Sequence, residues 1–288
     1  MLSAQLKIGF HFVGGALALV GVVFLYTRIS SQAAVINLVI FNATTWSVVV
    51  IMSMVYGLSN VILAHAWQKV LQHLGVSVAA PWAIWAYGIS QIARYLPGNI
   101  FHIAGRQALG AAANLPHWQL AKSAVWELGL IAAAGTMFGL LILPLLTEYV
   151  TYATSLTLFI ATLVVSLFLL KHLHSQAIML AFKLHLIFLL ISGIIFTCLI
   201  ELLSEDAAIQ VKDWLPLIGT YVVAWLAGLV TPGSPAGIGI RELVLLLLLN
   251  GIIGETELVM VVALVRFVTA SGDCLFFIAS SVYGKRFL

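Results

Sequence analysis

Two arginines in this sequence stand at the same distance from a proline–glycine pair, each within a strongly apolar stretch. Pro97 and Pro232 each begin a Pro-Gly pair, and seven further residues separate these pairs from Arg106 and Arg241, respectively. A proline interrupts a helix, and the freed backbone groups, like a guanidinium, need polar partners inside a bilayer. A paired break with a paired arginine therefore predicts a two-part site for an anionic group.

Further charged residues accompany these two motifs. The apolar stretches also hold or adjoin two arginines and three acids: Arg94, Arg266, Glu127, Glu242 and Asp273. Arginine suits phosphate because it stays charged and presents a planar fork of donors, and a helix N-terminus after a break also attracts anions. A phosphate-bearing head group is therefore favoured over a cation or a neutral sugar. Alternatively, the arginines pair with buried carboxylates or extend to an interface, and each acid is a structural counter-ion or a proton carrier.

The composition is that of a polytopic membrane protein. Of the 288 residues, 62% are hydrophobic and 8% are charged, far from the averages of soluble domains. No polar stretch is long enough for a soluble catalytic domain, and a net charge of +3 makes nucleic-acid binding improbable. The sequence contains no HExxH, Walker A or dinucleotide motif and no CxxC, so we expect no metal, no cofactor and no enzyme activity.

Apolar segments predict an all-α integral membrane fold with a single transmembrane domain over residues 1–288. The predicted spans lie at about 8–26, 45–66, 123–146, 152–170, 184–203 and 257–282. The first of them is expected to be a retained span and not a cleaved signal peptide. Two other stretches, about 81–106 and 214–250, contain the Pro-Gly pairs near their middle. Each predicts a re-entrant helical hairpin that enters and leaves the membrane on one side.

Loop charges favour this topology. With Lys7 inside and both hairpins re-entrant, seven basic loop residues fall inside and two outside. Those inside are Lys7, Lys69, Lys122, Lys171, Lys183, Lys285 and Arg286, and those outside are Arg28 and Lys212. A full span in place of either hairpin inverts the later loops and removes this positive-inside bias. We therefore expect both termini in the cytoplasm and hairpins that enter from opposite faces.

The same topology divides the chain into two units of inverted orientation, about 45–146 and 184–282. Each unit contains a span, a hairpin and a second span, an arrangement that transporters use to place a substrate near the bilayer midplane. A coincidental match of the two Pro-Gly motifs is the alternative. Six tryptophans mostly flank the spans and are interpreted as an aromatic belt: Trp46, Trp67, Trp82, Trp85, Trp118 and Trp214.

With these residues in view, the chain resembles the lysylphosphatidylglycerol synthase transmembrane region family. ARYLPGNIFHIAGR at 93–106 resembles its first signature, and TPGSPAGIGIRELVLLLLL at 231–249 resembles its second. ALVRFVT at 263–269 resembles the third, and WEL at 126–128 fits a glutamate that the family often carries. Ala236 departs from the pattern, since many relatives have glycine there.

The resemblance implies a flippase-like module that lacks the fused aminoacyltransferase. The implied substrate site comprises Arg94, Pro97, Gly98, Arg106, Gly237, Gly239, Arg241, Glu242 and Arg266, and the supporting buried acids are Glu127 and Asp273. We expect an anionic lipid as substrate, most simply a polyprenyl-phosphate-linked sugar or a phospholipid, in a bacterial inner membrane. The alternatives are a membrane-embedded lipid-modifying enzyme and a non-transporting partner of a glycosyltransferase. A glycosyltransferase partner and oligomer formation are both compatible with the sequence.

Overall fold

The structure, a computed structural model, describes residues 43–95, 100–203, 211–231, 237 and 239–283. The predicted first span at 8–26 lies outside this part of the chain, as do Pro97 and Gly98 of the first break. The described residues form helices and no β-strand. The helices are α1 (Ala43–His73), α2 (Ala80–Gln91), α3 (Phe101–Ala112), α4 (His117–Phe138), α5 (Tyr152–Leu173), α6 (Gln176–Leu203), α7 (Val211–Val230), α8 (Ile240–Leu249) and α9 (Glu255–Tyr283).

Six helical segments of the described chain are long and apolar enough to cross a membrane. They are Ala43–His73, His117–Leu146, Tyr152–Leu173, Gln176–Leu203, Lys212–Val230 and Glu257–Tyr283. Five of them coincide with predicted spans, which confirms an all-α, multi-pass membrane protein. The second segment combines α4 with the 3₁₀ turn Gly139–Ile142 and the single α-helical turn Leu143–Leu146 that follow it.

The sixth segment differs from expectation because it belongs to the stretch predicted as the second hairpin. The two helices of that stretch are unequal, 20 residues in α7 and 10 in α8, because α7 already begins at Val211 whereas α8 begins only at Ile240, eight residues after Pro232. Twenty helical residues measure about 30 Å, enough to cross the hydrocarbon core. The first arm is thus long enough to be a span in its own right.

The two arms of the first predicted hairpin are equal and short. α2 and α3 have 12 residues each, about 18 Å, so neither can cross about 30 Å of hydrocarbon alone. Pro81 lies in the first turn of α2, where its missing N–H costs nothing. A 3₁₀ turn, Ile92–Tyr95, ends the first arm. The arms pack on each other, and α2 also packs on α1 and α9.

The core is built around α1, α6 and α9. α1 packs on both of the other two helices, and α6 also packs on α7. α1 and α9 cross at Gly57 and Gly272, where a Cβ on Gly272 would lie 2.7 Å from the carbonyl oxygen of Ser53. Glycine is needed there because the two backbones touch, as is common for helix pairs in membranes. α5, by contrast, lies at the periphery, because only 6% of the residues in its most apolar stretch are buried inside the protein.

Candidate functional site

The second break is held by a carboxylate and a guanidinium. Gly237 and Gly239 have φ angles of 70° and 87°, a region that favours glycine over other residues. Glu242 accepts a hydrogen bond from the backbone N–H of Gly239 at 2.7 Å, which caps the start of α8. Arg266 on α9 donates to the Glu242 carboxylate and, at 2.8 Å, to the carbonyl oxygen of Gly237. Four of the predicted site residues therefore meet here, with Arg266 and Glu242 fixing the backbone of the break.

The first break is anchored by Asp273, also on α9. One carboxylate oxygen accepts from Arg94 at 3.3 Å and from the Tyr95 hydroxyl at 2.8 Å. The other accepts from the side-chain amides of Asn60 and Gln91, both at 3.1 Å. Asp273 thus connects α1, the end of the first hairpin arm and α9. Asn60, Gln91 and Tyr95 were missed from the sequence, although an asparagine in the apolar run of α1 is a signal that could have been used.

Both breaks meet the same helix near its centre. Arg266 and Asp273 are the twelfth and nineteenth of the 29 residues of α9. Seven residues correspond to about 10 Å along a helix axis. The ends of the two predicted hairpins therefore contact α9 within about two turns of each other.

Arg106 on α3 is paired with Glu127 on α4, so it contacts a different helix from Arg94 and Arg266. Its Nη1 lies 2.8 and 2.6 Å from the two carboxylate oxygens, and the Tyr87 hydroxyl donates to the same carboxylate at 2.9 Å. The guanidinium also lies over two rings, 4.3 Å from the Tyr87 centroid and 5.5 Å from that of Trp67. Trp67 is 1% exposed and packs in the core, so its assignment to an aromatic belt was wrong.

The environment of Arg241 differs from that of Arg106, the arginine of the other Pro-Gly motif. Its Nε is buried without a hydrogen-bond partner, and no carboxylate of the described residues lies within 4.0 Å of its guanidinium. The side chain passes between Gly228 and Gly237, where a Cβ on Gly228 would come within 2.8 Å of the arginine Cγ. Its guanidinium lies 5.3 Å from the ring centroid of Trp225, and the like charge of Arg266 acts on it. Arg241 therefore forms no ion pair with a described acid; the neighbouring Glu242 acts on it at longer range and is itself paired with Arg266.

The space beside Arg241 is small. A cavity of about 10 Å³ is lined by Tyr221, Arg241, Glu242, Leu245, Val262, Val265, Arg266 and Thr269. This volume corresponds to about one water molecule. The cavity therefore has room for about one such molecule and not for a larger polar group.

Comparison of the sequence with protein-family models and with curated proteins finds no match. Within the described part of the chain, no group of three His, Cys, Asp or Glu side chains could hold a metal ion. The site therefore has to be interpreted from its own chemistry, which among the described residues is that of three arginine–carboxylate pairs and one arginine without an ion-pair partner.

Proposed function

We propose that this protein is a transporter that moves an anionic lipid across a bacterial inner membrane. The observation that carries the proposal is Arg241, a fixed positive charge beside a helix break with no ion-pair partner in the described chain. A buried charge is costly in a bilayer, and a charged side chain that is kept there without an ion-pair partner is typical of a functional position. The phosphate of a polyprenyl-phosphate-linked sugar or of a phospholipid would supply the missing counter-charge. The resemblance in the Gly-Ile-Gly-Ile-Arg-Glu segment supports the same class of substrate.

A lipid also needs an apolar path beside its polar site. A groove of about 660 Å³ opens between α1, α2 and α9, and nearly all of its lining is apolar. Val61 and Leu275 line it, and they follow Asn60 and Asp273 by one and two residues on the same two helices. The groove therefore reaches the same level of α1 and α9 as the polar network of the first break, on another face of these helices. It offers a lateral route by which a lipid tail would stay in hydrocarbon while its head group moves.

Parallel contacts in the two halves support a pair of inverted units. Arg106 and Arg241 each lie over an aromatic ring on the preceding hairpin arm, Tyr87 and Trp225, respectively. In the first half the second arm contributes an arginine that pairs with an acid on the following helix. In the second half the polarity is reversed, since the arm contributes Glu242 and the following helix contributes an arginine. This reversal is what leaves Arg241 without an ion-pair partner among the described residues.

The proposed transport cycle alternates between closed and open hairpins. In the closed arrangement both breaks are bonded to α9, and the cavity at Arg241 admits about one water molecule. Separation of one break from α9 would open the site to one leaflet, and separation of the other would open it to the opposite leaflet. The sequence has no nucleotide-binding motif, so a lipid gradient or an ion gradient would drive the movement.

The hairpin topology makes a direct prediction. Single cysteines at Gly75 and Asn114, on a background without Cys198 and Cys274, should react with a membrane-impermeant maleimide from the same side of the membrane. The reason is that α2 and α3, with 12 residues each, are too short to cross separately and should return to the face they left. Labelling of intact cells and of inverted vesicles gives the measurement. Reaction of the two cysteines from opposite sides would show that this segment crosses the membrane and is not a re-entrant hairpin.

Transport itself is tested with the purified protein in liposomes. Fluorescent phosphatidylglycerol and a polyprenyl-phosphate sugar should become accessible to a quencher or an enzyme outside the vesicle, while a neutral glycosyldiacylglycerol with the same label should not. Head-group analysis after incubation should recover unchanged lipid. Altered lipid would indicate an enzyme, and absence of movement for both anionic lipids, with the folded protein present, would favour a non-transporting partner.

A further inference from the structure

A second apolar groove lies between α4 with the 3₁₀ turn that follows it, α5, α6 and α7, and measures about 340 Å³. Its lining is Phe138, Leu141, Leu156, Phe159, Leu163, Leu167, Lys183, Leu186, Ile187, Leu190 and Leu215. The one charged member is Lys183. It is exposed, and among the described residues it forms no hydrogen bond or ion pair. A groove of this size is within the range of small-molecule sites, and peripheral α5 opens it toward the bilayer.

The spacing of the lining residues gives the groove a polar end. On α5 the lining residues Leu163 and Leu167 are four apart, and the next residue on that helical face is the exposed Lys171. On α6 the face begins with Lys183 and continues through Leu186. α5 and α6 are consecutive helices separated by two residues, so both lysines lie toward their connection. Lys183 is seven residues from the start of α6, about 10 Å along its axis.

We propose that this groove binds one anionic phospholipid, in the leaflet next to the α5–α6 connection. An acyl chain would lie along the leucines, and the phosphate would lie between the ammonium groups of Lys171 and Lys183. The flexible stem of Lys183 packs on apolar surface while its head reaches toward the phosphate, which compensates for a charge inside an apolar helix. Basic pockets between transmembrane helices bind anionic head groups in this manner. The proposal does not depend on the transport function, because a resident lipid in this groove would stay in one leaflet.

Native mass spectrometry of the delipidated protein with added phosphatidylglycerol or phosphatidylcholine tests the assignment. The unaltered chain should bind phosphatidylglycerol with at least tenfold preference. Lys183→Met and Lys171→Met should each weaken this binding about fivefold, and the double variant about 25-fold, since each lysine near an anionic lipid contributes about that factor. Lys122→Met is the matched control, because Lys122 is exposed, lies over the ring of Trp118 and does not line the groove.

A groove-filling variant tests the apolar part separately. Leu163→Trp should reduce binding of the phospholipid while leaving both lysines in place, and circular dichroism should show unchanged helix content for every variant. Equal binding of the two phospholipids, or equal losses in Lys183→Met and Lys122→Met, would overturn the proposal. Detection of a dimer without bound phospholipid would also overturn it, because a second copy of this protein would then cover the groove.

Discussion

Substitution of Arg241 by glutamine should reduce transport of an anionic lipid at least tenfold while leaving the free energy of unfolding nearly unchanged. The transport loss follows because Arg241 carries the one motif charge that forms no ion pair with a described carboxylate. The unchanged stability follows because its removal leaves no described acid without a partner. Losses of one charge-assisted phosphate contact correspond to about 1.5–3 kcal/mol, which is at least tenfold in rate or affinity. The measurement is head-group movement in liposomes, together with thermal unfolding in detergent.

Arg241→Lys separates charge from geometry. Lysine keeps the positive charge but lacks the planar fork, so transport should be intermediate between the original chain and Arg241→Gln. Lys122→Gln changes an exposed charge and serves as the control that should transport normally. Wild-type transport rates in Arg241→Gln would remove Arg241 from the site. Loss of folded protein in that variant would instead give Arg241 a structural role.

The sequence identified the charged residues that lie at the breaks more fully than it identified their partners. Pro-Gly-x7-Arg made Arg106 and Arg241 equivalent, because the spacing to the preceding proline is the same. Whether each arginine meets an acid depends on a neighbouring helix, and no local pattern records that. Glu127 reaches Arg106 from α4, whereas the corresponding part of α9 carries Arg266, which takes the acid adjacent to Arg241.

The partners of Asp273 could not be predicted because they lie far from it along the chain. Asp273 is hydrogen-bonded to Asn60 and Arg94, which precede it by 213 and 179 residues. Such pairs follow from how α1, the first hairpin arm and α9 pack, so a single sequence does not contain them. Runs of apolar residues, in contrast, are a local feature of the sequence, and five of the six candidate spans of the described chain were predicted from them. The unequal arms of the second hairpin were missed because a proline marks where a helix ends without showing where it begins.

Arg106 should behave in the opposite way to Arg241. Arg106→Met leaves Glu127 as a buried carboxylate whose remaining described partner is the Tyr87 hydroxyl, so the protein should lose about 3–5 kcal/mol of stability. Glu127→Leu should be similarly harmful, because the guanidinium of Arg106 then has only the faces of two rings beside it. The measurement is unfolding in mixed micelles with increasing sodium dodecyl sulfate, followed by circular dichroism.

The double variant Arg106→Met with Glu127→Leu distinguishes a structural pair from a substrate site. It removes both buried charges at once, so its stability should exceed that of either single variant and approach that of the original chain. If Arg106 acts only by holding the first hairpin against α4, transport should recover along with stability. Recovery of stability without transport would show that Arg106 also meets the lipid phosphate, because only a direct contact is lost when the fold is restored. Strictly additive losses in the double variant would contradict the pairing itself.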